Sequence, residues 1–247
     1  MIPPRPAHQF LSIGHRGARG HAPENTLLAI DTGIRLGADM IEFDVQRCEQ
    51  ELVVIHDPRL ERTTNGQGRV DEVSLEYLRK LNTGADMQVP TLAEVLDLVE
   101  ARLPVNIEIK SAEGTAALVA QQVRNYLNEG WTPAHFLVSS FHLPELYEFK
   151  QLAPEVPVAV LVCGVPLDWA ACAAEIGASA LNISAEFADP RLIADAHARG
   201  LQVFAYTVNH VEDIARAVAL GLDGVFSDYP ERVLALRRGE EMPQLRP

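Results

Sequence analysis

Eight short runs of β-branched or apolar residues recur along the chain and constrain its fold more than any other feature: "FLSIG", "MIEFDV", "VNIEIK", "HFLVSS", "VAVLV", "ALNIS", "QVFAYTV" and "GVFSD". Between most of them lie segments of helical period, such as "TLAEVLDLVEAR" and "EDIARAVALGL". Strands that alternate with helices form right-handed βαβ units and a parallel sheet. Eight such units close a barrel, and the 247 residues present match the usual size of a TIM (β/α)8 barrel. The expectation is an α/β chain forming one barrel domain over residues 1–247, with no linker or low-complexity tract. A further run, "ELVVIHD" (Glu51 to Asp57), follows "MIEFDV" too closely for a crossover helix. It should return antiparallel, as a small hairpin insertion after the second strand. Beyond it, "PRLERTTNGQGRV" is rich in turn residues and reads as an irregular loop over one end of the barrel.

The chain carries a net charge of −13 and no run of Lys or Arg. Nucleic-acid backbones are bound by basic stripes, so nucleic acid is not an expected partner. A phosphate held by so acidic a chain must meet a local cluster of positive charge or a metal ion. Cys48, Cys163 and Cys172 are odd in number and form no C-x-x-C pair, which points to free buried thiols in a reducing compartment. The opening "MIPPRPAHQFLSIG" has only a brief apolar run, too short for a signal-peptide core or a membrane span. A cytoplasmic location without a membrane span is the expectation.

Side chains alternate along a strand, so in "MIEFDVQ" Ile41, Phe43 and Val45 share one face and Glu42, Asp44 and Gln46 the other. The apolar face should meet the helices. That turns two carboxylates into the barrel, where an uncompensated charge costs on the order of several kcal/mol. "VNIEIK" repeats the pattern, with Val105, Ile107 and Ile109 outward and Asn106, Glu108 and Lys110 inward. Three inward carboxylates on neighbouring strands make an all-oxygen nest of the kind Mg²⁺ or Ca²⁺ prefers, whereas zinc recruits His or Cys. A buried ion-pair network with Lys110 and Arg16 is the alternative reading of the same alternation. His15 and Arg16 end the first strand, His56 ends the hairpin strand, and the C-terminal strand ends form the active-site face of an α/β barrel. Two histidines converging there on carboxylates and a metal can supply a general acid and a general base. His8, His21, His135, His142, His197 and His210 show no such convergence and read as structural or loop residues.

Taken in order, "HRG…PENT", "IEFDV", "VVIHD" followed by "LERTTNGQG", "NIEIK", "SSF", "YTVN" and "GVFSDYP" resemble the glycerophosphodiester phosphodiesterase family over almost the whole chain. The closest likeness is to its short bacterial cytoplasmic members. No single piece is specific, but the ordered set is. The resemblance implies a TIM barrel with a small insertion near the second strand and a required divalent cation, Mg²⁺ or Ca²⁺. Position by position it implies Glu42, Asp44 and Glu108 as metal ligands, His15 and His56 as the acid/base pair, and Arg16 and Lys110 as phosphate contacts. "PENT" has two readings: Asn25 or Thr26 caps the next helix, or Glu24 and Asn25 line the site and hydrogen-bond His15 or substrate. Phe141 and Tyr206 form either an apolar wall for glycerol carbons or part of the barrel core. The chain departs from the family pattern at "RCEQE", where many members carry an Asp-Gly turn, and at Tyr206, where the family often has Trp.

The reaction so implied is metal-dependent hydrolysis of small-molecule glycerophosphodiesters to sn-glycerol 3-phosphate and an alcohol. The glycerol 2-hydroxyl would attack phosphorus, giving a cyclic phosphate that water opens. Arg16 would offer a planar fork to a phosphate oxygen while His15 handles a proton. A barrel lyase or isomerase stabilising an enolate would use the carboxylates but leave Arg16 and two histidines without a task. A regulatory barrel that had lost activity would be expected to lack one of these positions, and all are filled.

Overall fold

A computed structural model describes residues 10–112 and 114–240. His8 lies outside the described residues. The three cysteines are free thiols, but only Cys48 is buried: Cys172 is half-buried, and Cys163 is exposed because it falls just past the end of β6. Strands β1 (Leu11–Gly14), β2 (Met40–Cys48), β3 (Glu51–Val54), β4 (Val105–Ile109), β5 (Phe136–Ser140), β6 (Val158–Val162), β7 (Ala180–Ser184), β8 (Gln202–Tyr206) and β9 (Gly224–Ser227) form one sheet. Its order is β1-β9-β8-β7-β6-β5-β4-β2-β3, and a further parallel pairing of β1 with β2 closes the barrel. Only β3 runs antiparallel, outside the ring and paired to β2. The helices are α1 (Leu27–Arg35), α2 (Leu75–Leu78), α3 (Leu92–Val99), α4 (Thr115–Asn128), α5 (Leu143–Leu152), α6 (Ala171–Ile176), α7 (Pro190–Ala198), α8 (Val211–Ala219) and α9 (Pro230–Arg238). All except the short α2 follow a barrel strand, or the hairpin in the case of α3, so the architecture is the expected TIM barrel with an insertion after the second strand. No helix among the described residues is long and apolar enough to cross a membrane.

The alternation read from the sequence holds. Ile41, Phe43, Val45, Val105, Ile107 and Ile109 are fully buried and pack with the inner faces of the helices, for example with Val95 and Leu96 of α3. α3 stays in place through a capping box in which Thr91 and Glu94 satisfy each other's backbone N–H. The register sets Asp44 of β2 beside Glu108 of β4 and Glu42 beside Asn106, so the inward polar residues occupy two adjacent levels of the barrel.

The hairpin turns in two residues, Glu49 and Gln50, between the paired Cys48 and Glu51. Of the two only Glu49 has positive φ (57°), the sign pattern of a type II′ turn, whereas Asp-Gly favours type I′ with both residues positive. The loop beyond β3 has its own small core, in which Leu60, Val70 and Leu78 pack against Cys48 and Val53 of the hairpin. It is tied across by a bridge between Arg59 and Arg69.

At the β1 end the chain turns sharply onto α1. Gly17 (φ 84°) lies so close to that helix that a Cβ there would meet the Ala29 carbonyl carbon at 2.4 Å. Glycine alone permits both that conformation and that approach, and the two residues before it, His15 and Arg16, are thereby held over the barrel mouth. Thr26 is the N-cap of α1, accepting from the Ala29 N–H at 3.1 Å. Of the two candidate caps in "PENT", Asn25 is thus released for another contact.

Candidate active site

Glu42, Asp44 and Glu108 come together at the mouth, each offering a carboxylate oxygen, with the three oxygens within 4.8 Å of one another. All three are buried. Burial, then the neighbouring Asp44 and Glu108 charges, push the Glu42 carboxyl well above its ordinary range. Burial and Asp44 raise Glu108 to about 7 against the opposing pull of Lys110. Glu42 uses Oε2 to accept from the Arg16 backbone N–H at 2.7 Å, while its buried Oε1 has no hydrogen-bond partner. Compressed, mutually repelling oxygens with one orphaned acceptor fit a hard divalent cation, whose charge and oxygen preference answer both deficits.

The ion-pair alternative is partly present as well. Lys110 Nζ lies 2.7 Å from Glu108 and 3.7 Å from Asp44, and Arg16 Nε lies 3.3 Å from Asp44. Neither cation reaches Glu42 Oε1 by a hydrogen bond. Arg16 is also shared with Glu24 at 2.7 Å. The network therefore leaves one carboxylate oxygen of the triad unanswered.

Each histidine of the pair is held by its own aspartate. His15 Nδ1 donates to Asp228 at 2.7 Å, and His56 Nδ1 to Asp57 at 2.5 Å. Against its burial, the His15 hydrogen bond lowers the Asp228 carboxyl below its usual range. Asp57 is lowered chiefly by its Arg62 hydrogen bond. Desolvation lowers both histidines from the usual 6.5. An ionised carboxylate on Nδ1 fixes the proton there and turns the Nε2 lone pair of each neutral ring outward.

Glu24 and Asn25 support this arrangement from behind. Asn25 Nδ2 donates to Asp44 at 2.8 Å and its Oδ1 accepts from the Asp44 backbone N–H at 3.2 Å, which orients that carboxylate. Glu24 binds Arg16 and, through both oxygens, Arg62 at 2.7 and 3.0 Å; despite burial, these cations hold it down to about 2. Neither residue hydrogen-bonds His15, and neither lines the site cavity. That cavity, about 250 Å³, is lined instead by His15, Arg16, His56 and Lys110 with two of the carboxylates on one side. Phe141 and Tyr206 complete the lining, their rings edge to face at 5.9 Å and Lys110 Nζ 5.6 Å from the Phe141 ring centre. The Tyr206 hydroxyl donates to the Val162 carbonyl, so the ring, not the hydroxyl, faces the cavity.

Sequence reasoning misses Asp228, Asp57, Arg62 and Arg19, the last of which lines the cavity with its Nε 3.4 Å from Asp228. Asp228 follows β9 directly in "GVFSDYP", and the rule that strand ends carry the site could have found it. Arg62 sits in an irregular loop, where no periodicity marks direction. Four of the remaining histidines take structural tasks: His142 caps α5, His197 meets Asp223, His21 meets Glu231 and His135 accepts from Thr132, while His210 precedes α8 without a side-chain cap bond.

The sequence profile of the glycerophosphoryl diester phosphodiesterase family matches residues 15–232. The chain belongs to that family and is a glycerophosphodiester phosphodiesterase. It is 35% identical to the glycerophosphodiester phosphodiesterase of Caldanaerobacter subterraneus subsp. tengcongensis, over 92% of this chain and 98% of that one. With the glycerophosphodiester phosphodiesterase of Bacillus subtilis it shares 30% identity over 94% and 87% of the two chains. Among solved structures, a phosphodiesterase from Oleispira antarctica in complex with the product sn-glycerol-3-phosphate superposes with a TM-score of 0.84 at 31% identity, covering 93% of this chain and 98% of that one.

Proposed function

We propose that the protein hydrolyses glycerophosphodiesters to sn-glycerol 3-phosphate and an alcohol, using a divalent cation, Mg²⁺ or Ca²⁺, held by Glu42, Asp44 and Glu108. The observation that carries this reading is the buried carboxylate triad with its unpartnered Glu42 oxygen, two of whose members line one cavity with two aspartate-oriented histidines. When bound, the cation supplies positive charge to the phosphate oxygens.

Arg16 and Lys110 bind and orient the phosphate, Arg16 through a fork that matches two oxygens. The glycerol carbons lie against Phe141 and Tyr206, which exclude water from that side. His15 and His56 exchange protons with the attacking hydroxyl and the departing alcohol oxygen through Nε2. The glycerol 2-hydroxyl attacks phosphorus, the head-group alcohol leaves with a proton, and water then opens the five-membered cyclic phosphate. An enolate-forming lyase would need the triad alone and give the two His–Asp pairs no work.

The test is ³¹P NMR of turnover for a glycerophosphodiester and its 2-deoxy analogue. Intramolecular attack draws on effective molarities that reach about 10⁵ M in well-oriented cases, so the analogue should bind but react far more slowly, and a cyclic phosphate should be seen only with the parent. Equal rates without a cyclic species would mean that water attacks directly.

A further inference from the structure

A second, larger cavity of about 610 Å³ opens beside the first, at the C-terminal ends of β2 and β4. Lys110 lines both, so the groove begins where the phosphate site ends. Its other walls include Arg47 of β2, Gln50 of the hairpin turn, Arg69 of the loop after β3 and Ser111 beyond β4. We propose that this groove is the subsite for the alcohol half of the substrate, and that it selects neutral polyhydroxylated alcohols, such as glycerol or inositol, over choline. The inference rests on the phosphodiesterase reading of the adjoining site.

Position gives the first part. The glycerol half lies against Phe141, just past β5, and Tyr206, at the end of β8, so the opposite phosphoester oxygen points toward β2 and the hairpin. His56 comes from that side, two residues before Pro58, which lines the groove. A departing alcohol thus passes a proton donor and enters the groove.

Chemistry gives the second part. A quaternary ammonium is recognised by aromatic faces, and no described lining residue of the groove is aromatic. Its two carboxylates are already engaged: Asp71 accepts from Arg69 at 3.0 and 3.1 Å, and Glu49 accepts from the Leu75 N–H at 3.2 Å. What the wall presents instead is hydrogen-bonding capacity without net negative charge. The Gln50 amide donates and accepts, and the Arg69 guanidinium keeps a nitrogen that its contact with Asp71 does not occupy. Hydroxyl groups satisfy both kinds of partner, whereas a trimethylammonium satisfies neither.

The experiment compares kcat/KM for glycerophosphoglycerol, glycerophosphoinositol and glycerophosphocholine in the wild type, Gln50→Ala and Arg69→Ala, with thermal unfolding confirming that each variant is folded. Because a site built to hydrogen-bond hydroxyls rejects analogues that lack them, the wild type should prefer the polyol diesters by about tenfold or more. Each variant should narrow that ratio by losing more on the polyol diesters than on glycerophosphocholine. A wild type without that preference, or a ratio that neither variant changes, overturns the subsite while leaving the phosphodiesterase reading intact. Failure of the wild type to hydrolyse any of the three would remove both.

Discussion

Asp228 governs what His15 can do. Its carboxylate, lowered by the His15 hydrogen bond, fixes the proton on Nδ1, so that Nε2 is free to take one. Asp228→Asn keeps the shape but removes the charge, and kcat should fall by roughly 10²-fold or more, as when an oriented proton-transfer group is lost. The pH profile carries a second sign. Burial already lowers His15, with Asp228 opposing, so removing that charge lowers it further and moves the acid limb of kcat/KM to lower pH. Circular dichroism and cation affinity should be unchanged. Near-normal turnover with an unmoved acid limb would mean that His15 is not a proton carrier. At this scale the sequence displayed the proposed proton carriers, because His15 and His56 lie one and two residues past the ends of β1 and β3; the groups that orient them were less visible. The strand end marks the place of Asp228 but not its partner, and Asp57 gains meaning only through hydrogen bonds that no spacing specifies.

Among the elements, the barrel strands were the most legible, since period-two alternation in "MIEFDVQ" and "VNIEIK" states both the strand and the face it buries. The segment after β3 was not, because its fold depends on a private core. Leu60, fully buried, packs there with Val70 and Leu78 and apart from the main barrel cluster. That core holds the loop from which Arg62 reaches Glu24 and Asp57. Leu60→Ala removes buried methyl groups and leaves a cavity, a loss of about 2–5 kcal/mol where collapse is incomplete. The damage should be local first. Hydrogen exchange should quicken in residues 56–80, and turnover should fall at temperatures where circular dichroism still reports a folded barrel. Coincident loss of activity and barrel structure would show that the insertion and barrel unfold as one unit.

The whole molecule is acidic, at a net charge of −13, yet gathers three carboxylates in one buried place. Without a cation, Glu108 titrates near 7 instead of 4.5, and Glu42 well above its ordinary value. Folded-state values above the unfolded ones mean that the folded protein binds more protons. Their contribution to stability is therefore full below about pH 4.5 and lost as pH rises through about 7. A cation must displace those protons, so its stabilising effect should grow with pH over the same window. The most direct test of the proposed metal site is thermal unfolding and glycerol 3-phosphate release by EDTA-stripped protein, with and without Mg²⁺ or Ca²⁺, for the wild type and Glu42→Gln between about pH 5 and 8. The wild type should gain Tm and activity on adding the cation, more so at the higher pH. Glu42→Gln, relieved of one repelling charge, should be the more stable of the two without metal at pH 8, yet gain no Tm from the cation and lose turnover by orders of magnitude. EDTA-resistant turnover in the wild type, with near-normal activity in Glu42→Gln, would contradict the account.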